Sequence, residues 1–210
     1  MLKPSLEKVK ALAKQYNTIP VFSADNQTPL NIYTALSKDS RNSFILESVS
    51  NGVQWDRYSF VGVSPKEEIC ITGNTAEIRT GDKIETKEVE QPIAFLKERM
   101  AAYRSPVLEG APNFTGGLIG YFGYDTVRYM EKKLTHVPED DIHMPDCHLF
   151  LYEELLAYDH LTSNGIVILN LHTDGDLGAQ YAAAQWRAEE LADIVRHYNP
   201  QPQVRQHHGE

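Results

Sequence analysis

The sequence predicts an α+β fold built mostly from antiparallel strands, with helices packed against the sheets. Three observations predict it. Short strand-like runs follow one another, dipeptides typical of hairpin turns such as Gly73-Asn74 and Gly81-Asp82 separate them, and amphipathic helical segments lie before and after them. The 210 residues are 41% hydrophobic and 23% charged, which is the composition of an ordinary globular domain.

The N-terminal part of the chain is predicted to form a helix, a strand and a second, shorter helix. Apolar residues recur at helical spacing from Ser5 to Tyr16, and a β-prone run follows from Ile19 to Ser23. Thr28 is predicted to cap the next helix, with Pro29 as its first residue, because proline has no N–H to leave unpaired at that position.

The middle of the chain predicts a meander of antiparallel strands. The strand candidates are Ser43 to Val49, Asp56 to Val63, Glu67 to Thr72, Thr75 to Thr80 and Lys83 to Glu88. A helix is predicted from Gln91 to Tyr103. The glycines that follow lack the spacing of a dinucleotide-binding loop and alternate with apolar and aromatic residues, so the run from Gly116 to Tyr124 is predicted to be a buried strand.

The C-terminal part predicts strands at Cys147 to Tyr158 and Gly165 to His172, followed by a helix from Gly178 to Tyr198. Residues 199–210 are polar and contain two prolines, which is typical of a linker. We therefore expect one α+β domain at residues 1–198, with a linker beginning at residue 199.

Composition excludes several classes of partner. The formal net charge of −9 disfavours nonspecific binding to nucleic acid or to an anionic membrane. No apolar run is long enough for a membrane span, and the N-terminus lacks the apolar stretch of a secretory signal. Cys70 and Cys147 are expected to be reduced thiols, and the protein is expected to be cytoplasmic.

A cluster of possible metal ligands lies between His136 and His148. It also contains Asp140, Asp141, His143, Asp146 and Cys147. Metal ligation needs a regular spacing on a rigid element, whereas two prolines interrupt this stretch. We therefore interpret it as a polar loop entering a strand, and no metal site is predicted.

One constellation suits a zwitterionic ligand. Glu47 and Ser48 end an apolar strand, and Arg57 begins the next one, so a hairpin would bring the three side chains together. Glu47 could then face an ammonium group and Arg57 a carboxylate. The alternative is a solvated cross-strand pair between Glu47 and Arg57, which would contribute little. Spacing alone favours this second interpretation.

Four sequence blocks, in order, resemble one enzyme family. Phe44-Ile45-Leu46-Glu47-Ser48 followed by Arg57-Tyr58-Ser59-Phe60-Val61-Gly62 resembles the "LLES…RYSFIG" block of the large subunit, or component I, of anthranilate synthase. Thr28-Pro29-Leu30, the run from Phe114 to Arg128 and the run from Glu154 to His160 resemble further blocks of that family. The resemblance covers residues 19 to 198.

The resemblance implies an N-terminal domain that packs against a larger, chorismate-binding C-terminal domain. The complete enzyme converts chorismate and ammonia into anthranilate and pyruvate, with ammonia delivered by a glutamine amidotransferase subunit. The C-terminal domain carries the catalytic residues and the Mg²⁺. This chain is therefore expected to be inactive alone, with no catalytic residue and no cofactor of its own.

The resemblance also implies a regulatory site. In that family the "ES" of the first block contributes to the tryptophan feedback site, which corresponds to Glu47 and Ser48 here. Arg57 and Pro29 are expected to lie at the same pocket. Adjacent strand residues point to opposite faces, so a bulge or a backbone contact is required if both Glu47 and Ser48 are to reach one ligand.

Two alternatives remain open. The large subunit of aminodeoxychorismate synthase shares the fold and the substrate, although it usually lacks the intact "LLES…RYSF" block. A standalone amino-acid-binding module is the other possibility. A gene that continues into a chorismate-binding domain would exclude this second alternative.

Overall fold

Two five-stranded antiparallel sheets, with helices packed against them, form the protein. The computed structural model describes residues 2–25, 28–40, 42–47, 57–131, 133–134 and 140–198. The strand order is β1-β10-β9-β3-β2 in the first sheet and β6-β5-β4-β8-β7 in the second. The α+β prediction is confirmed.

The strands are β1 (Thr18–Asp25), β2 (Ser43–Leu46), β3 (Tyr58–Val63), β4 (Glu67–Thr72), β5 (Thr75–Thr80), β6 (Lys83–Glu88), β7 (Gly117–Phe122), β8 (Cys147–Tyr152), β9 (Glu154–Asp159) and β10 (Asn164–His172). The α-helices are α1 (Leu6–Leu12), α2 (Pro29–Leu36), α3 (Pro92–Ala101) and α4 (Leu177–Arg196). Short 3₁₀ helices cover Ser37–Asp39 and Tyr124–Tyr129. In the part of the chain that the structure describes, no helix is both long and apolar enough to cross a membrane.

The first sheet is covered by α1, α2 and α4. Its core contains Val9 from α1, Val61 from β3 and Leu191 from α4, all of which are almost completely buried. The Thr28 hydroxyl accepts a hydrogen bond from the Asn31 N–H at 3.4 Å, which confirms the predicted cap of α2. β1 forms one edge of this open sheet by pairing with β10, which sets Thr18 opposite His172.

The second sheet has a smaller core of its own. Ile69, Ile71 and Ile78 from β4 and β5 pack there with Leu96 from α3. A third cluster takes side chains from both sheets and joins them. Its buried members are Tyr152, Leu155, Ala157, Ile166 and Ile168, and several partly buried aromatic rings pack against them.

The chain passes from one sheet to the other at two places. The predicted strand from Cys147 to Tyr158 is in fact two strands, because β8 belongs to the second sheet and β9 to the first, with Glu153 between them. The other passage is the connection from β3 to β4, where the Lys66 N–H donates to the Leu151 carbonyl at 2.8 Å.

The glycine-rich run forms a strand, as predicted, but the prediction that it is buried is wrong. β7 is an edge strand of the second sheet. Phe122 at its end is 53% exposed to solvent, and Tyr124 just beyond it is 93% exposed. The close approach of the backbone occurs at Gly120, where a Cβ would collide with the carbonyl oxygen of His148.

Candidate functional site

The hairpin of β2 and β3 carries the predicted regulatory residues at one end. The last paired residues are Leu46 and Phe60, so Glu47 and Arg57 both lie just beyond the paired part of the hairpin. Glu47 is exposed. Ser48 lies outside the described residues. The structure therefore brings two of the predicted residues to the same end of one hairpin.

Arg57 makes a bidentate ion pair with Asp159 of β9. Its Nε lies 2.9 Å from Oδ1 and its Nη2 lies 2.7 Å from Oδ2. The guanidinium also lies over the Tyr58 ring, 5.0 Å from its centroid. This pair forms because β9 is the other neighbour of β3 and sets Asp159 opposite Tyr58. Among the described residues, Asp159 and not Glu47 is therefore the carboxylate partner of Arg57.

Asp159 is a fully engaged, buried carboxylate. Besides Arg57, it accepts hydrogen bonds from the Leu161 N–H and the Thr162 hydroxyl, both at 3.0 Å. Hydrogen bonding from Arg57 is the main reason that the pKa of Asp159 falls to about 2, since it favours the ionised form over the opposing effect of burial. The pair therefore fixes the orientation of the arginine side chain.

Sequence reasoning missed Asp159 because it lies 102 positions from Arg57. The available signal was local. An acid that ends a strand and precedes Leu161 and Thr162 can accept hydrogen bonds from the turn that follows it. That signal indicates a turn and does not identify the arginine.

Pro29 is buried at the start of α2, a helix that packs against β2 and β3. The Ser43 hydroxyl of β2 donates to the Tyr33 hydroxyl of α2 at 3.4 Å, which connects the helix to the hairpin. Pro29 is therefore a buried residue at the start of the helix that packs on the hairpin. Its pyrrolidine nitrogen carries no N–H, so the residue offers no hydrogen-bond donor to a ligand.

A separate groove of about 740 Å³ lies beyond the end of β7. Tyr129, which lines it, donates from its hydroxyl to the Asp146 carboxylate at 2.6 Å, and that carboxylate also accepts from the Gly73 N–H at 2.6 Å. Burial, followed by the hydrogen bond to Asp146, raises the pKa of Tyr129 well above its ordinary value. The hydroxyl is therefore a structural donor.

The described part of the polar cluster between residues 136 and 148 does not converge on one point. Asp146 bonds to Tyr129, Cys147 is buried in the core of the second sheet, and His148 bonds to Glu68 at 2.7 Å. Over the ranges that the structure describes, no group of three His, Cys, Asp or Glu side chains is arranged to hold a metal ion. His136 lies outside these ranges.

Comparison with known proteins identifies the family. A family model described as chorismate binding enzyme matches residues 55–209. Component 1 of anthranilate synthase from Acetivibrio thermocellus is 37% identical over 187 residues, covering 88% of this chain and 37% of that protein. The Pseudomonas aeruginosa component 1 is 37% identical over 196 residues, covering 90% of this chain and 39% of that protein.

Two further matches are also named as subunits of anthranilate synthase. Anthranilate synthase alpha subunit 2, chloroplastic, from Arabidopsis thaliana is 34% identical over 92% of this chain and 34% of its own length. The crystal structure of anthranilate synthase component I from Streptococcus pneumoniae matches at 24% identity and a TM-score of 0.49, over 84% of this chain and 36% of that one.

The chain spans less than two fifths of the length of these curated relatives. The family match itself extends over most of the chain. From that match, the chain belongs to the family of chorismate-binding enzymes, and the relatives that it matches are component 1 of anthranilate synthase.

Proposed function

We propose that this chain is the N-terminal part of the large subunit of a cytoplasmic anthranilate synthase, the enzyme that forms anthranilate and pyruvate from chorismate and ammonia. The observation that carries the proposal is the identity of 37% to two bacterial component 1 proteins over almost nine tenths of the chain. In this proposal residues 1–198 form a regulatory domain. It packs against a chorismate-binding domain that follows it, and a glutamine amidotransferase subunit supplies the ammonia.

Tryptophan is the proposed inhibitor, bound at Glu47, Ser48, Arg57 and Pro29. Arg57 uses Nε and Nη2 for Asp159, so its Nη1 has no partner among the described residues and could donate to the ligand carboxylate. Since Asp159 already neutralises the guanidinium, this contact would act as an oriented hydrogen bond more than as a free charge. Glu47 is exposed and could accept from the ligand ammonium.

No chemical step is proposed for this chain itself. Mg²⁺ would assist catalysis in the complete enzyme, but the described residues hold no cluster of ligands that fits it. The proposed boundary at residue 198 is a prediction, and the family match over residues 55–209 extends across it.

A chimera tests the proposal. Residues 1–198 would replace the aligned part of the Acetivibrio thermocellus component 1, and anthranilate fluorescence would be followed with chorismate, Mg²⁺ and ammonium. We expect the chimera to form anthranilate and to be inhibited by tryptophan. The unmodified enzyme is the positive control, and this chain alone is the negative control. A folded chimera that forms anthranilate but ignores tryptophan would contradict the regulatory site.

A further inference from the structure

A histidine at the end of β9 lies beside the arginine of the candidate site. In the first sheet β3 has β2 on one side and β9 on the other. The register sets Tyr58 opposite Asp159, so the residue that follows β9, His160, lies beside Arg57. The His160 N–H donates to the Arg57 carbonyl at 2.8 Å. The backbone therefore places an imidazole next to a residue that is proposed to bind the ligand.

The His160 ring is fixed on one side and open on the other. Its Nε2 lies 2.7 Å from the hydroxyl oxygen of Ser59, a residue that is only 1% exposed. The Tyr158 ring packs edge-on against the imidazole, with 4.9 Å between the ring centroids. His160 itself is exposed. The fold thus holds the Nε2 side of the ring while part of the residue reaches solvent.

The buried hydroxyl determines which ring nitrogen carries the proton. Over the ranges that the structure describes, the Ser59 hydroxyl has no partner besides His160 Nε2, and His160 Nδ1 has none. A buried hydroxyl needs an acceptor for its proton, so Ser59 donates to Nε2, which must then be unprotonated. In the neutral ring the proton consequently lies on Nδ1. His160 therefore presents a neutral N–H donor of fixed orientation.

We infer that His160, held by Ser59, is a second donor to the ligand carboxylate beside Arg57. The inference rests on the proposed function, since it takes the ligand to be an amino acid whose carboxylate meets Arg57. Asp159 occupies Nε and Nη2 of that arginine, so the guanidinium cannot bind a second carboxylate through the same pair of nitrogens. A neutral donor from His160 supplies the second hydrogen bond without adding a charge. The two donors together select ligands that have a free carboxylate.

The alternative is that the bond between Ser59 and His160 only holds the end of β9 in place. Two variants separate these roles. His160→Gln retains an acceptor near the place of Nε2, and thus the bond to Ser59, but has no donor at the place of Nδ1. His160→Asn puts its amide donor near the place of Nδ1 and gives up the bond to Ser59. A ligand contact makes the Gln variant the more harmful one, whereas a purely structural role makes the Asn variant the more harmful one.

Inhibition of the chimera by tryptophan, at about pH 8 where an ordinary imidazole is neutral, tests the inference. His160→Gln should raise the inhibition constant by about tenfold or more, because a hydrogen bond to a charged group is lost. His160→Asn should keep the constant within about threefold of the wild-type value. His143→Ala is the control, since its side chain is 84% exposed in the segment before β8, and the change should be less than about twofold.

The outcomes separate this inference from the proposed function. If tryptophan inhibits the wild-type chimera, an unchanged constant for His160→Gln or a larger rise for His160→Asn overturns the inference alone. If tryptophan does not inhibit the wild-type chimera, the proposed regulatory site and this inference are both overturned. Circular dichroism establishes that each variant is folded.

The tautomer of His160 gives a second readout that requires no variant. Long-range proton–nitrogen correlation spectra of the ¹⁵N-labelled 210-residue chain, at about pH 8, should show the proton on Nδ1. A proton on Nε2 would overturn the inference, because Nδ1 would then be an acceptor that repels a carboxylate. If the variants do not fold, this measurement decides.

Discussion

The Lys66 Nζ lies 2.7 Å from a carboxylate oxygen of Glu153, and each residue occupies one of the two places where the chain passes between the sheets. The Nε2 of His172 lies 2.8 Å from the same oxygen. The Glu153 carbonyl also accepts from the backbone N–H and the side-chain amide of Asn170, at 3.0 and 2.9 Å. The β3–β4 and β8–β9 connections are thus joined by these contacts to β10 and to each other.

Glu153→Gln should lower the free energy of unfolding by roughly 1 kcal/mol, because it removes the charge that Lys66 faces in a partly exposed site. Urea denaturation measures the change. Glu85→Gln is the control, since Glu85 pairs with Lys87 on the exposed β6, and we expect a loss of less than about 0.5 kcal/mol there. An equal loss of unfolding free energy in both variants would show that the Lys66–Glu153 contact stabilises the protein no more than an exposed surface pair does.

Asp159 should make stability depend on acidic pH. Its pKa is lowered from 3.8 to about 2, so its contribution to folding is fully present above about pH 4 and is lost as the pH falls through 2. Because the partner Arg57 is 46% exposed, we expect a contribution of about 1–2 kcal/mol.

Urea denaturation between pH 5 and pH 2 checks this expectation. The free energy of unfolding of Asp159→Asn should fall less over that range than that of the wild type. Asp193→Asn, which removes an exposed carboxylate of α4, should follow the wild-type slope. Parallel curves for the wild type and Asp159→Asn would contradict the assigned role of the ion pair.

Gly120→Ala should destabilise the protein by about 1–3 kcal/mol, since the added Cβ meets the His148 carbonyl and the adjacent backbone of β8, which cannot rotate away. Gly175→Ala serves as the control, because the atom that its Cβ would meet is the end of the flexible Gln180 side chain. Thermal unfolding compares the two. A smaller loss for Gly120→Ala than for Gly175→Ala would contradict the close packing of β7 on β8.

Changes at the proposed regulatory site should relieve inhibition by tryptophan. In the chimera described above, Ser48→Phe should fill the volume needed by the indole ring, and Glu47→Lys should place a like charge beside the ligand ammonium. We expect inhibition constants at least about tenfold higher, with turnover of chorismate largely unchanged. Glu88→Lys on β6 is the control for a surface charge reversal. Unchanged inhibition in both site variants would place the regulatory site elsewhere.

The sequence predicted the fold best where local signals determine it. The bounds of β4, β5 and β6 agree with the prediction because Gly73 and Gly81 mark both turns with positive φ angles. The division at Glu153 was missed, since an apolar run does not show where a chain changes sheets. The 3₁₀ helix from Tyr124 to Tyr129 was missed as well, because its length is below that at which helical periodicity becomes visible.

The hairpin that carries the candidate site was predicted, and the ion-pair partner of Arg57 was not. The hairpin signal correctly placed Glu47 and Arg57 at one end, because the pairing of consecutive strands follows from chain order. The partner of Arg57 depends on which strand lies on the other side of β3. Pairing between distant strands leaves no local pattern, so Asp159 could be found only in the folded structure.

The pairing of β1 with β10 has a consequence for synthesis on the ribosome. β1 leaves the ribosome early, yet its neighbour in the sheet is β10, one of the last strands to be made. The hairpins of β4, β5 and β6 can form as soon as these strands leave the ribosome. β1 cannot pair with β10 until β10 has been made, so its apolar face stays uncovered until then. The order of translation thus makes the first strand of the protein one of the last to be placed in its sheet.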